Sequence, residues 1–187
     1  MVIIGITGTL GAGKGTIVDY LVGERGFRHY SVRAFLVKEI ERRGMPVNRD
    51  SMTSVANELR ARFSPSYVTD CLYEEALKGQ QSCVIESIRT PGEIASLRQK
   101  GRFHLFAVDA DAQLRYDRII LRRSETDAVS LETFLSNEAR EMNSDDPNKQ
   151  NLSACIAQAD FLFLNNGSVA ELHDQIAQAL NTIEQHE

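Results

Sequence analysis

The chain has 187 residues, 42% of them hydrophobic, enough to bury one sizeable core and too few for two ordinary domains. Its formal charge of -5 supplies no global positive field, so a nucleic-acid partner is not indicated and the arginines have to be weighed by where they cluster. Three widely spaced cysteines, Cys71, Cys83 and Cys155, fit neither a disulfide framework nor a paired-cysteine zinc site and are expected as buried thiols in a reducing compartment.

Val2 to Thr7 is a short apolar run ending in glycines, the form of a parallel strand buried on both faces. A helix follows with Ile17, Val18, Leu21 and Val22 as its apolar face and Arg25-Gly26 as its stop. Phe27 to Tyr30 reads as a second strand, and Ser31 as the cap of a helix burying Val32, Phe35, Leu36 and Ile40. Met52, Val55, Ala56, Leu59 and Phe63 recur at helical spacing, and Ser64-Pro65 restarts a helix that runs to Gly79. Cys83 to Ile85 gives a third strand, and Thr90-Pro91-Gly92-Glu93 is a capping box. Phe103 to Val108 is a fourth strand. A polar stretch from Arg122 to Gln150 holds one amphipathic piece at Leu131, Phe134 and Leu135 and a break at Asp145-Asp146-Pro147. Phe161 to Leu164 is a fifth strand, followed by a second capping box, Ser168 to Glu171, and a helix aligning Val169, Leu172, Ile176 and Leu180. Strands alternating with helices predict an α/β domain, a five-stranded parallel sheet covered on both faces. No basic segment precedes the apolar start and Lys14 follows it closely, so neither a secretory signal nor a membrane span is expected, and the cytoplasm is the expected location.

The chemistry is carried by Gly8-Thr9-Leu10-Gly11-Ala12-Gly13-Lys14-Gly15-Thr16, two glycines and a lysine at phosphate-loop spacing between a strand and a helix. Such a loop turns successive amides into one concavity at a helix N-terminus, where phosphate oxygens collect, and Lys14 would reach the β- and γ-phosphates of ATP. The competing dinucleotide fingerprint starts at Gly11-Ala12-Gly13, but Thr16 stands at its third glycine. Glu86 and Arg89 lie at the C-terminal end of a buried strand, where open α/β sheets bind ligands; Glu86 is a candidate for the Mg²⁺ hydration shell and Arg89 for a bidentate phosphate clamp.

The Gly-Lys-Gly-Thr variant, in which Gly15 separates Lys14 from Thr16, resembles adenylate kinase and other nucleoside monophosphate kinases. That resemblance implies a three-layer P-loop fold over residues 1–187, a helical acceptor-side insertion at about 31–81, a lid at about 122–150, and ATP with Mg²⁺. It implies that Thr16 touches phosphate or the metal. Glu86 to Arg89 is similar to the Asp-Gly-Phe-Pro-Arg segment of those kinases, one residue shorter from acid to arginine, and the arginines at Arg115, Arg118, Arg122, Arg123 and Arg140 resemble lid donors for a transferring phosphoryl group, Arg122 and Arg123 foremost by their place at the lid's start. Where the kinases carry an Asp and an Arg for the acceptor, this chain has Ala34 and Val37, with Arg33 and Lys38 as displaced positive groups. Ala159-Asp160 to Gly167 resembles a segment of dephospho-CoA kinases whose turn lies near adenine, which gives Asn165 and Gly167 a cofactor-side role. The expectation is transfer of a γ-phosphoryl group to a small phosphorylated acceptor, a nucleoside monophosphate first, dephospho-CoA second. From another class, an ATP-binding sensor or adaptor without transferase activity fits the altered acceptor segment.

Overall fold

The apolar start forms β1 (Val2–Gly8) at the centre of the sheet, followed by α1 (Lys14–Arg25), β2 (Arg28–Ser31), α2 (Val32–Arg42), α3 (Arg49–Arg62) and α4 (Tyr67–Gly79). Then come β3 (Cys83–Glu86), α5 (Pro91–Gln99), β4 (Arg102–Asp109), α6 (Ala112–Arg122), α7 (Leu131–Met142), α8 (Leu152–Ala157), β5 (Phe161–Leu164) and α9 (Val169–Gln185). The computed structural model describes residues 1–122 and 130–185. All five strands pair in parallel in the order β2-β3-β1-β4-β5.

The period of two along the strands divides the core. Ile3, Cys83, Ile85, Phe103 and Leu105 face one side, beneath α2 to α5 and α8, while Ile4, Ile6, Val84, Phe106, Val108 and Phe163 face the other, beneath α1 and α9. The sheet is therefore buried on both faces, as the near-continuous apolar strands require. The C-terminal ends of β1 and β3 open toward the segments that connect them to α1 and α5, the place where ligands gather in this architecture.

Several boundaries differ from expectation. β2 begins at Arg28, one residue late, and Ser31 ends it while capping α2 by accepting the Ala34 amide at 3.1 Å. Val22 is 41% exposed and Val169 58% exposed, so the core stripes of α1 and α9 lack them; each stands about one helical step off the buried line. Helix α8, between the polar stretch and β5, has no counterpart among the expected elements. Cys83 and Cys155 are buried and Cys71 is partly exposed, all as free thiols.

Candidate functional site

The phosphate loop is made by the backbone. β1 leaves the sheet at Gly8, whose φ of 138° and proximity to β4 admit no side chain: a Cβ there would meet the Val108 carbonyl oxygen at 2.1 Å. Gly13 caps α1 with φ 113° and no side-chain hydrogen bond, and no acidic residue occupies the first turn. The helix dipole and its first amides are thus left to a ligand. The loop is pinned from below by side chains. Thr9 Oγ1 donates to Asp109 Oδ1 at 2.6 Å, Asn165 Nδ2 donates to the Ala12 carbonyl at 2.8 Å, and Arg118 Nη2 donates to the Asn165 carbonyl at 2.9 Å.

Lys14 Nζ folds back onto the loop, donating to the carbonyls of Gly8 at 2.9 Å and Thr9 at 2.7 Å. Burial of the ammonium, helped by the Arg89 guanidinium and opposed by Glu86 and Glu141, pulls its pKa down to about 7. A group so placed gains its charge most readily when an anion arrives.

The loop forms one wall of a cleft of about 730 Å³. Seven cationic side chains, Lys14 and six arginines, line it against the carboxylates of Asp19, Glu86 and Glu141, in a chain whose net charge is -5. At the far end of β3, Glu86 accepts from Ser31 Oγ at 2.7 Å and stands 3.5 Å from His29 Nε2. Burial works to raise its carboxyl, but His29 and Ser31 outweigh that and hold it below the usual range. The next residue, Ser87, has φ 66°, a left-handed conformation at a non-glycine that turns the chain back over the cleft.

The opposite wall is built from side chains on separate segments. Arg89 Nη1 donates to Glu141 Oε2 and Gln150 Oε1, both at 2.7 Å, and its own amide donates to Glu93 Oε2 at 2.7 Å. Arg49 pairs with Glu141 Oε1. Arg60, 2% exposed, donates to Glu93 at 3.2 Å, forming a fully enclosed ion pair between α3 and α5. Among the described residues, Arg49 Nε, Arg60 Nε and Arg118 Nη1 are buried and have no hydrogen-bond partner.

The structure brings Leu10, Gly11, Gly13, Lys14, Gly15 and Thr16 together at the cleft with Arg33, Glu86, Arg89 and Arg122. Gly8, Ala12 and Asn165 lie beneath the loop as its support, and Gly167 belongs to the turn before α9. Lys38 and Arg140 do not line the cleft. Helical periodicity turns Lys38 into solvent, away from the Val32 and Leu36 side of α2, and it is the neighbouring Glu141 that α7 points inward, while Arg140 donates to Asn137 on its exposed side. Arg123 lies outside the described residues. Arg115, grouped by sequence with the lid arginines, is a structural residue instead: it is buried, donates to the carbonyls of Ala110 at 2.7 Å and Leu10 at 3.3 Å, and pairs with Glu138.

Arg49, Arg60 and Glu141 carry no motif. The signal for two of them is a charge on an apolar stripe: Arg60 follows Ala56 by four positions on α3, and Glu141 follows Phe134 by seven on α7. Among the described residues no group of three or more His, Cys, Asp or Glu could hold a metal. Thr16 and Glu86 both line the cleft and could each offer an oxygen to magnesium arriving with its phosphate ligands, an ion that takes few protein donors.

The sequence model of the AAA domain family matches residues 4–144, from within β1 to just past α7. The chain belongs to that family. This AAA-domain chain is 28% identical over 180 residues to a UPF0200 protein of Thermococcus sibiricus, covering 93% of this chain and 91% of that one. In structure it is similar to shikimate kinase from Bacteroides thetaiotaomicron, with a TM-score of 0.62, 12% identity, and coverage of 96% and 98%. It is also similar to dephospho-CoA kinase from Campylobacter jejuni, with a TM-score of 0.57, 14% identity, and coverage of 98% of both chains. The fold is thus that of the P-loop kinases, a five-stranded parallel sheet with helices on both faces. Among the described residues no helix is long and apolar enough to cross a membrane.

Proposed function

We propose that the protein is an ATP-dependent phosphotransferase that moves a γ-phosphoryl group to a small phosphorylated acceptor, a nucleoside monophosphate ahead of dephospho-CoA. The observation that carries this reading is the cleft itself: a phosphate loop at one end, a cluster of guanidiniums at the other, and cationic side chains that outnumber carboxylates seven to three along its lining.

In this reading the amides at the start of α1 and Lys14 hold the β- and γ-phosphates. Glu86, fixed by Ser31 and His29, stands where it can orient the acceptor's attacking oxygen, and Arg89 clamps the acceptor's phosphate. Arg122, with Arg33 from α2, supplies further positive charge, and Asn165 sets the loop's position rather than touching the phosphates. Magnesium, held through Thr16 and Glu86, would neutralise charge on the phosphoryl oxygens. Phosphoryl transfer asks little covalent work of the protein, so positioning and electrostatics suffice.

The second reading, an ATP-binding sensor, is favoured by one observation: Arg89 is already engaged by Glu141 and Gln150. Release of ADP measured against a panel of nucleoside monophosphates and dephospho-CoA separates the two. The phosphotransferase reading expects turnover stimulated by at least one acceptor; tight binding of MgATP with no stimulated turnover by any of them leaves only the sensor.

A further inference from the structure

Glu141 is an unusual residue to find buried at 8% exposure on a lid-side helix. Its two carboxylate oxygens are taken by guanidiniums from different segments, Oε1 by Arg49 at the start of α3 and Oε2 by Arg89 beyond β3. Burial works to raise the carboxyl, and the two arginines, Arg89 ahead of Arg49, outweigh it and keep it ionised. Yet the carboxylate leaves the cluster incompletely satisfied. Arg49 Nε and Arg60 Nε stay buried without acceptors, an arrangement that is unfavourable until an acceptor arrives. A carboxylate has one charge and two oxygens in a plane; a phosphate monoester brings up to two charges and three terminal oxygens in a tetrahedron.

We infer that Glu141 is an internal occupant of an oxyanion subsite formed by Arg49, Arg60 and Arg89, and that the phosphate group of the acceptor binds there by displacing it. The incumbent keeps three arginines from repelling one another in the empty cleft and raises the threshold that a stray anion must pass. Displacement also acts at a distance along α7. Glu138, one turn before Glu141, is held by Arg115, and Arg115 donates to the Leu10 carbonyl in the phosphate loop. Release of Glu141 thereby breaks the pairs with Arg49 and Arg89 that hold α7 at this end and leaves the Glu138–Arg115 pair as its tie toward the phosphate loop.

The inference rests on the phosphotransferase reading for the purpose of the subsite, but its test involves no turnover, so the two can fail separately. The probe is inorganic phosphate, titrated calorimetrically into the full chain carrying Lys14→Ala, which weakens phosphate binding at the loop. Adding Glu141→Ala is expected to tighten phosphate binding about ten-fold, the usual scale of a coupling between two ligands of one site. Glu141→Gln, which keeps shape and hydrogen bonding while removing charge, is expected to give a smaller gain in the same direction. Adding Arg49→Ala to either is expected to cancel it. Unchanged or weaker phosphate binding in the folded Gln variant, or a gain that survives loss of Arg49, overturns the inference: Glu141 would then be a clamp holding α7 and nothing more.

Discussion

The two ends of the cleft are built on opposite principles. At the loop end the ligand meets backbone: glycine-shaped turns and uncapped amides, with Thr9, Asp109 and Asn165 bracing the loop from behind. At the acceptor end it meets side chains, three guanidiniums from α3 and the β3–α5 connection, each paired with a carboxylate before any ligand arrives. A backbone cradle costs little to keep empty, because its dipoles are fixed by the fold. A cluster of like charges does not, and has to be neutralised from within. In the proposed reading, binding at the acceptor end exchanges partners, which favours discrimination, while binding at the loop end fills a prepared space, which favours rate.

The largest effect expected from breaking this contrast is at Glu93. Its carboxylate answers Arg60 and the amides of Arg89 and Thr90, so Glu93→Ala strands a buried guanidinium and two donors at once. Loss of one member of an enclosed pair costs about 3–5 kcal/mol. Urea unfolding should show a drop of that size, and a loss under about 1 kcal/mol would mean the pair is not the keystone of the acceptor wall. At the other end Lys14→Ala should leave the fold intact and lower kcat about 10²- to 10³-fold, the scale for removing one preorganised charge from a transition state. An unaltered kcat would remove Lys14 from the chemistry. Smaller again is Arg49→Ala, expected to raise the KM for the acceptor about ten-fold with the KM for ATP unchanged, since it meets Glu141 and lies across the cleft from the loop. Parallel changes in both KM values would show that the two ends are not separable.

The same contrast decides what could be read from sequence. The loop was legible because a backbone cradle is written contiguously: Gly8, Gly13 and Lys14 sit within seven residues, bounded by a strand and a helix that periodicity reveals. The parallel sheet and the Thr90–Glu93 box were legible for the same local reasons. Glu93's second duty was not, because its partner Arg60 is 33 residues away. Likewise Arg49, Arg60, Arg89 and Glu141 converge only after α3 and α7 are placed, and no spacing rule joins positions 52 residues apart. Lys38 and Arg140 were sensible candidates by neighbourhood. They fail to reach the cleft because one step along a helix rotates a side chain by about 100°.

The finest test concerns a single proton. In the empty loop Lys14 titrates at about 7, set by burial and Arg89, with Arg122 adding to the depression and Glu86 and Glu141 opposing it. Phosphates brought against the ammonium favour its charged form, so the pKa rises on binding and the complex holds more protons than the free protein. At pH 7, where the free amine is about half protonated, binding of MgATP should take up roughly half a proton more in the wild type than in Lys14→Met. Calorimetric titrations in buffers of different ionisation enthalpy read this directly. Folding carries the matching sign: the folded pKa of about 7 lies below the ordinary 10.5, so between those values the unfolded chain binds the extra proton and the stability of the ligand-free protein rises with pH. Lys14→Met should flatten that slope. Equal proton uptake in both proteins would mean that the amine is already fully charged in the empty loop, and that desolvation at the phosphate end is too weak to hold its pKa at about 7.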